Sequence, residues 1–402
     1  MQTNSLLLEA QNLAHEIVNH RRWLHAHAET GFGLTQTKAY VKDALTRMGY
    51  TPIDCGKAGL FATIGPGGGK TILLRADMDA LPIREESGVS FASHNGNMHA
   101  CGHDMHTAML LGAAQLLMQH RDELKGTVKL MFQPAEEIFE GSKDMMDSGI
   151  LENPRPDAAL MIHVTAGIPL PAGTVIVSAP GVTAPAADYF TITVQGKGCH
   201  GSAPQDGIDP LPAAAHIILG LQQIQTRELP ATEEVVLTIG KVTAGSAPNA
   251  VANSVVLQGT IRTYDEKTRA YVKQRLEEIS RLHASACRAT AEVTFGSGCP
   301  TLVNDPDFAQ KIYEETLSLL GSGKVLTAAQ LSRGGKPSRG GGSEDFAYIS
   351  QEVPSLMLAL AAGEPRLGYT FPQHHPQVRF DEAALPVGTA VLANAALSFT
   401  GA

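Results

Sequence analysis

The sequence predicts an α/β domain built on a largely parallel sheet and interrupted by a smaller βαββαβ domain. Three observations point to it. Helix-period and strand-like segments alternate through the first half, a βαββαβ order occupies 184–296, and helix–strand reading resumes after 300. At 402 residues the chain also exceeds what one hydrophobic core usually supports. The expected division is 1–183 with 297–402 as a discontinuous main domain, and 184–296 as the insertion.

In chain order, apolar spacing predicts helices near 5–28, 35–48 and 103–120. Strands are expected at 59–64, 71–76 (TILLRA), 127–133 (TVKLMFQ) and 157–162. The insertion reads as strand (DYFTITVQ), helix (209–226), strand (EVVLTIGKV), strand (SVVLQGTIRT), helix (266–288) and strand (TAEVTF), a ferredoxin-like order. Pro and Gly clusters on its two sides, SAPGVTAPAA and GSGCP, read as hinges. An amphipathic helix is expected near 382–400. Functional groups on parallel sheets gather beyond the carboxyl ends of the strands. TILLRA runs into Asp77-Met78-Asp79, and TVKLMFQ into Pro134-Ala135-Glu136-Glu137.

Composition removes several function classes. With 43% hydrophobic and 18% charged residues the chain is an ordinary globular protein, not a disordered one. A net charge of −9 argues against nucleic acid and anionic membrane as partners. Five cysteines, at 55, 101, 199, 287 and 299, are odd in number and scattered, which is no disulfide framework and suits a reducing cytosol. The first residues mix acids and bases into a helical pattern, unlike a signal peptide. Apolar stretches such as PSLMLALAAG fall short of the roughly 18 residues that span a bilayer. A cytoplasmic location is expected.

Two phosphate-binding patterns fail on inspection. GPGGGKT, 65–71, has Ile64 where a phosphate loop needs its first Gly, and a strand follows instead of a helix. GKGCHG, 196–201, fits a dinucleotide fingerprint, but SAPQDGIDP with its two prolines intervenes and no acid follows at the required distance.

A metal constellation remains. MHACGHDMHTAMLLGAA, 98–114, sets a cysteine and three histidines at a loop-to-helix junction. Cys101 and His103 flank Gly102 and can face one ion, while Asp104 suits the helix dipole. His99 and His106 read as supporting or packing residues. Glu136 and Glu137 carry adjacent charges that repel unless a cation lies nearby. His163 ends the strand ALMIHV, and QHHPQVRFDE adds His374 and His375. Such a set suits zinc, manganese or related divalent ions. Two adjacent glutamates permit a division of labour, one binding metal and the other accepting a proton from water activated by it. The chemistry implied is hydrolysis of an amide or ester; metal storage or sensing, the non-enzyme alternative, leaves the paired glutamates unexplained.

RADMDALPI, MHACGHDMHTAMLLGAA, FQPAEE with GSKDMMDSGIL, CHGSAPQDGIDP, NAVANSVVLQGTIRT and GGSEDFAY together resemble the metal-dependent amidohydrolases. That family includes hippurate hydrolases, plant auxin-conjugate hydrolases, aminoacylases and related carboxypeptidases, and the similarity runs from about residue 15 to 398. The resemblance implies a zinc-peptidase-like catalytic domain and an inserted lid or dimerisation domain. It places metal ligands at Cys101, His103, Glu137, His163 and His374, the last because Pro376 completes an H-x-P match; His375 is the runner-up. Glu136 matches the general base, and Asp79 an acid that supports the metal site. His200 matches a residue that polarises the scissile carbonyl, often in the partner subunit's site; Asn249 and Arg262 match positions that hold the substrate carboxylate. Gly341 and Gly342 read as a loop allowing close backbone approach to substrate. Many relatives carry Asp as the bridging ligand where this chain has Cys101, which leaves open the metal and whether one or two ions bind per subunit. Zinc or manganese is expected, with cobalt and nickel as alternatives. The implied activity is hydrolysis of N-acyl amino acids or peptide-like conjugates by a homodimer or higher homo-oligomer, the alternative being a dipeptidase or carboxypeptidase of the same family.

Overall fold

The computed structural model describes residues 3–331 and 342–401. They form two compact units. The first comprises the described residues of Met1–Thr183, Val303–Arg339 and Asp345–Ala402, the second those of Ala184–Leu302 and Gly340–Glu344.

Eight strands make the sheet of the first unit: β1 Ile53–Cys55, β2 Gly59–Ile64, β3 Thr71–Asp77, β4 Thr127–Gln133, β5 Ala158–Thr165, β6 Val175–Val177, β7 Val325–Thr327 and β8 Ser355–Ala361. Their order across the sheet is β1-β2-β4-β3-β5-β8-β6-β7. The central four, β4, β3, β5 and β8, are mutually parallel. Antiparallel pairings join β1 to β2, β2 to β4 and β6 to β8. The sheet is therefore mixed but parallel at its centre, as expected.

Every residue of β3 and β4 is buried, the pattern of parallel strands covered on both faces. Two cations interrupt the apolar runs, and the donors of both find acceptors locally. Lys129 places Nζ 2.8, 2.7 and 3.0 Å from the carbonyl oxygens of Ile150, Glu152 and Pro154. Arg75 donates to Asp77 (2.8 Å), Asp345 (3.0 Å) and the side-chain Oε1 of Gln133 (2.9 Å). Gln133 in turn donates to Asp345 at 2.7 Å, and so does the backbone N–H of Ser142 at 2.9 Å. Strand register sets Asp77 opposite Gln133 and His163 opposite Ala359, so the carboxyl ends of β3, β4 and β5 are brought level.

The helix His103–Gln119 packs against Ala14–Ala26 and against Leu385–Gly401. The last of these was expected to be amphipathic. Instead it is buried on all sides among neighbouring helices and the sheet, which accounts for an apolar surface all round. By length and composition Glu382–Gly401 could cross a membrane, longer than any apolar stretch expected from the sequence, but most of it is buried within the first unit.

The second unit has strands Ala186–Gln195, Val235–Ala244, Ser254–Thr263 and Thr290–Cys299 with helices Pro210–Gln223 and Glu266–Ala286. Ser254–Thr263 and Ala186–Gln195 lie at the centre of its sheet, and all pairings are antiparallel. That is the βαββαβ arrangement. Asp209 and Asp265 cap the two helices, accepting from Leu211 and Thr268 backbone N–H groups. The segment GSGCP, expected as a hinge, is instead mostly strand: Thr290–Cys299 continues through it with a register shift between Phe295 and Gly298. A Cβ at Gly298 would meet the Ala187 carbonyl oxygen at 2.3 Å. The glycine permits close strand approach, and the second unit extends to Leu302, past the expected edge at 296.

Arg75, Asp77 and Asp345 all have fully buried side chains. Removing one partner of such a pair costs about 3–5 kcal/mol. Arg75→Met should therefore lower the calorimetric transition by on the order of 10 °C, with Arg75→Lys falling less. An unchanged transition in Arg75→Met would show that the acids find other compensation.

Candidate metal centre

Each donor arrives on an element whose local geometry aims it inward. β4 ends at Gln133, and Ala135 (φ 55°) and Phe139 (φ 56°) bracket the turn Glu136–Ile138 in left-handed conformations. Such values are unusual for residues with a Cβ. The turn sends Glu136 and Glu137 back across the end of the sheet. Gly102, at φ 93°, opens the helix that starts with His103; a Cβ there would approach Val164 Cγ2 to 2.4 Å. Only glycine meets both demands. His374, at φ 65°, is held by its own N–H donating to Ala100 O at 2.9 Å.

The result is a cluster. Cys101, His103 and His163 offer donor atoms within 4.8 Å of one another, and so do Cys101, Glu137 and His374. Cys101 belongs to both triplets. Its Sγ lies 3.6 Å from His163 Nε2, and His374 Nε2 lies 3.7 Å from Glu137. His103 Nε2 sits 3.8 Å from Glu136 and 3.9 Å from Glu137. The ring orientations suit ligation. His103 Nδ1 donates to Asp79 O at 2.8 Å and His163 Nδ1 to Val164 O at 2.7 Å, which leaves Nε2 of each as the lone-pair atom.

The cluster has the properties of a cation site. His103 Nε2 and Glu137 Oε1 are buried without a hydrogen-bond partner, a state that costs free energy unless something else meets them. Burial pushes the Cys101 thiol up to about 12. It pushes Glu137 up to about 7, with Asp79 and Asp77 adding to the effect and His103 opposing it. A divalent ion would relieve all of these at once, and thiolate, imidazole and carboxylate are donors for zinc, manganese and related metals. Cys101, His103, Glu137, His163 and His374 would hold it.

Neighbouring groups set these donors. Asp79 is fully buried, and its carboxylate accepts from the backbone N–H groups of Glu136 (2.9 Å) and Glu137 (3.2 Å). Both of its oxygens are therefore engaged by the glutamate turn. Asp77 carried no role in the sequence reading, yet it lies 3.6 Å from His103 Nε2 and accepts from His106 Nδ1 at 2.6 Å. His106 Nε2 then accepts from Val164 N–H at 2.8 Å, beside His163. The acid-rich DMD after an apolar strand was the available signal. His99 is buried and enters none of the donor groups, as expected of a packing residue. His375 stacks on Phe371 (4.3 Å between centroids) and its Nδ1 accepts from Gln377 N–H at 3.1 Å. Of the two adjacent histidines, His374 is the one within the donor cluster.

The other candidates lie in the second unit. His200 and Asn249 are brought together there: Cys199–His200 pairs with Ala250–Val251, and Gly201 N–H donates to Asn249 O at 2.8 Å. Both side chains are exposed, with His200 Nδ1 bonded to Ser202. Arg262 donates to Ser343 Oγ at 2.5 Å, which sets it beside the segment containing Gly342. Among the described residues Gly342 has open space where a Cβ would be, so none of them crowds the position into needing a glycine. Gly341 lies outside the described residues.

Residues 73–398 match peptidase family M20/M25/M40. The N-acetyl-L-cysteine deacetylase of Bacillus subtilis is 36% identical over 93% of this chain and 85% of its own. An Arabidopsis thaliana IAA-amino acid hydrolase ILR1-like protein is 35% identical over 95% and 85%. Among solved structures, a Bacillus subtilis dinuclear metal-binding peptidase of the M20 family superposes with a TM-score of 0.78, at 32% identity, covering 96% of this chain and 98% of that one. The donor cluster, the mixed α/β sheet and these likenesses have one reading: the chain belongs to peptidase family M20/M25/M40 and is a metal-dependent amidohydrolase.

Proposed function

We propose that the protein cleaves the amide bond of N-acyl amino acids, releasing the free amino acid, with zinc or manganese in the Cys101-centred cluster. The observation that carries this reading is the sharing of Cys101 between two donor triplets with Glu136 and Glu137 alongside. The relatives named for N-acetyl-L-cysteine and IAA-amino acids support the substrate class. One or two ions per subunit fit the two triplets. Five unpaired cysteines suit a cytoplasmic location.

Held by Cys101, His103, Glu137, His163 and His374, a divalent ion would supply Lewis acidity for the scissile carbonyl and for water. Glu136 accepts the proton of the attacking water and delivers it to the leaving amine. Asp79 keeps the glutamate turn in place through its two backbone hydrogen bonds. His200 donates to the developing oxyanion. Asn249 and Arg262 hold the substrate carboxylate, and the Gly341–Gly342 segment admits it closely. The inserted domain serves as the lid or dimerisation domain of a homodimer or higher homo-oligomer, with His200 acting in its own subunit's site or in the partner's.

A chelator should abolish amine release from N-acetyl, N-benzoyl and indole-acyl amino acids, and Mn²⁺, Co²⁺ or Zn²⁺ should restore it. Glu136→Gln should retain metal by elemental analysis and lose about two to four orders of magnitude in rate. Full activity in metal-free enzyme would end the proposal.

Ligand assignments are read by metal content. Cys101→Ser should lower occupancy, and His374→Ala should lower it more than His375→Ala. The reverse order would move the ligand by one position.

For His200→Ala, fold and metal should persist while turnover falls about 10²–10³-fold, the usual cost of one oxyanion donor. Mixing it with Glu136→Gln should recover activity if sites are shared, since each mixed dimer holds one site with both residues intact. Absence of recovery, with subunit exchange confirmed, would place His200 in its own subunit's site.

A further inference from the structure

The carboxyl end of the helix Ala14–Ala26 holds a buried ion network outside the metal cluster. His25 is 2% exposed. Its Nδ1 lies 2.9 Å from Asp104 Oδ2 and its Nε2 3.0 Å from Glu85 Oε1, and both acids have fully buried side chains. A neutral imidazole has one N–H, so facing two carboxylates requires both nitrogens to donate and the ring to be cationic. Arg21 joins from the same helix, its Nε 2.9 Å from Asp104 Oδ2 and its Nη1 3.0 Å from Glu382.

The two acids bonded to His25 belong to two different arms of the metal cluster. Asp104 directly follows His103. Glu85 belongs to an irregular segment that it organises by accepting from Ser93 N–H at 2.7 Å and from Ser87 Oγ. The next residue, Glu86, donates its N–H to Pro376 O at 2.8 Å, two residues beyond His374. Asn95 and Asn97 of the same segment both donate to Ala28 O, just past the helix end. One imidazolium thus ties the His103 helix to the segment that buttresses the His374 loop.

We propose that His25 is a positioning residue for the metal site, a cationic tie between Asp104 and Glu85 that holds the His374 arm in register with Cys101 and His103. The idea rests on the metal reading of the cluster and on no particular substrate. His374 has the greatest need of such support, because its side chain is 54% exposed and its backbone is left-handed. Loss of the tie should act on the Cys101–Glu137–His374 triplet before the Cys101–His103–His163 triplet. Groups that support a ligand from outside typically change metal affinity by about 10–100-fold.

The test is Mn²⁺ binding by equilibrium dialysis with elemental analysis, alongside melting of the metal-free and Mn²⁺-loaded proteins. His25→Gln and Glu85→Leu should each weaken the loosest Mn²⁺ by about tenfold or more and shrink the melting increment that Mn²⁺ confers. Glu85→Gln keeps an acceptor for the ring N–H and should bind Mn²⁺ within about twofold of wild type. If His25→Gln does not fold, the Glu85→Leu and Glu85→Gln pair decides, since Glu85 lies on an irregular segment. Variants whose metal-free melting falls while Mn²⁺ affinity and increment stay at wild-type values would make the tie purely structural and overturn the proposal. No substrate enters these measurements, so a wrong acyl or amino-acid assignment leaves their outcome intact.

Discussion

Asp77 is the charge on which the centre of this protein depends. It ends β3, every residue of which is buried and where an isolated carboxylate would be very costly. Burial works against its charge, but His103, Arg75 and His106 outweigh that and hold its carboxyl well below the usual range. Each partner transmits a constraint. Arg75 leads to Gln133 and Asp345, His106 leads to the backbone beside His163, and Thr107 donates to the Asp77 carbonyl at 2.7 Å. One buried acid thereby locks two parallel strands, the start of the central helix and the His163 position into a single arrangement.

The carboxylates around the cluster divide into those that bind and those that build. Asp77 and Asp79 spend their oxygens on protein partners, a histidine and an arginine in one case and two backbone N–H groups in the other. Glu137 keeps an oxygen without a partner and lies between His103 and His374. A rigid outer layer of satisfied acids with a strained, under-satisfied inner layer is what a preorganised cation site requires. Asp104 links the cluster to the helix Ala14–Ala26 through Oδ2, which meets both Arg21 and His25, while its Oδ1 is buried without a hydrogen-bond partner.

Much of this was legible along the chain because it is local. Buried parallel strands need continuous apolar runs, so β3 and β4 announce themselves, and whatever polar residues follow them stand at the functional edge. The spacing of Cys101 and His103 around Gly102 is set within one turn, and the adjacent glutamates within another. Ferredoxin-like order in the insertion follows from alternating periodicities that need no knowledge of contacts. Proline and glycine punctuation misled at GSGCP, because glycine marks a close strand approach as readily as a hinge. The C-terminal helix misled because an amphipathic pattern and full burial differ only in what packs on the far side.

The sequence by itself determined the donor inventory and the elements that carry it, since both depend on residue type and short-range spacing. Only the tertiary structure decided how those donors meet. Cys101 falls into both triplets because a left-handed His374 is pinned to Ala100, a contact separated by 274 positions in the chain. His375 is removed from the donor set by a ring stacked on Phe371, and Asp77 meets the central helix through His106 while its partner Arg75 reaches Gln133 of β4 and Asp345 after Gly342. Such assignments rest on desolvation and on distances between remote segments, and neither is written in the order of residues.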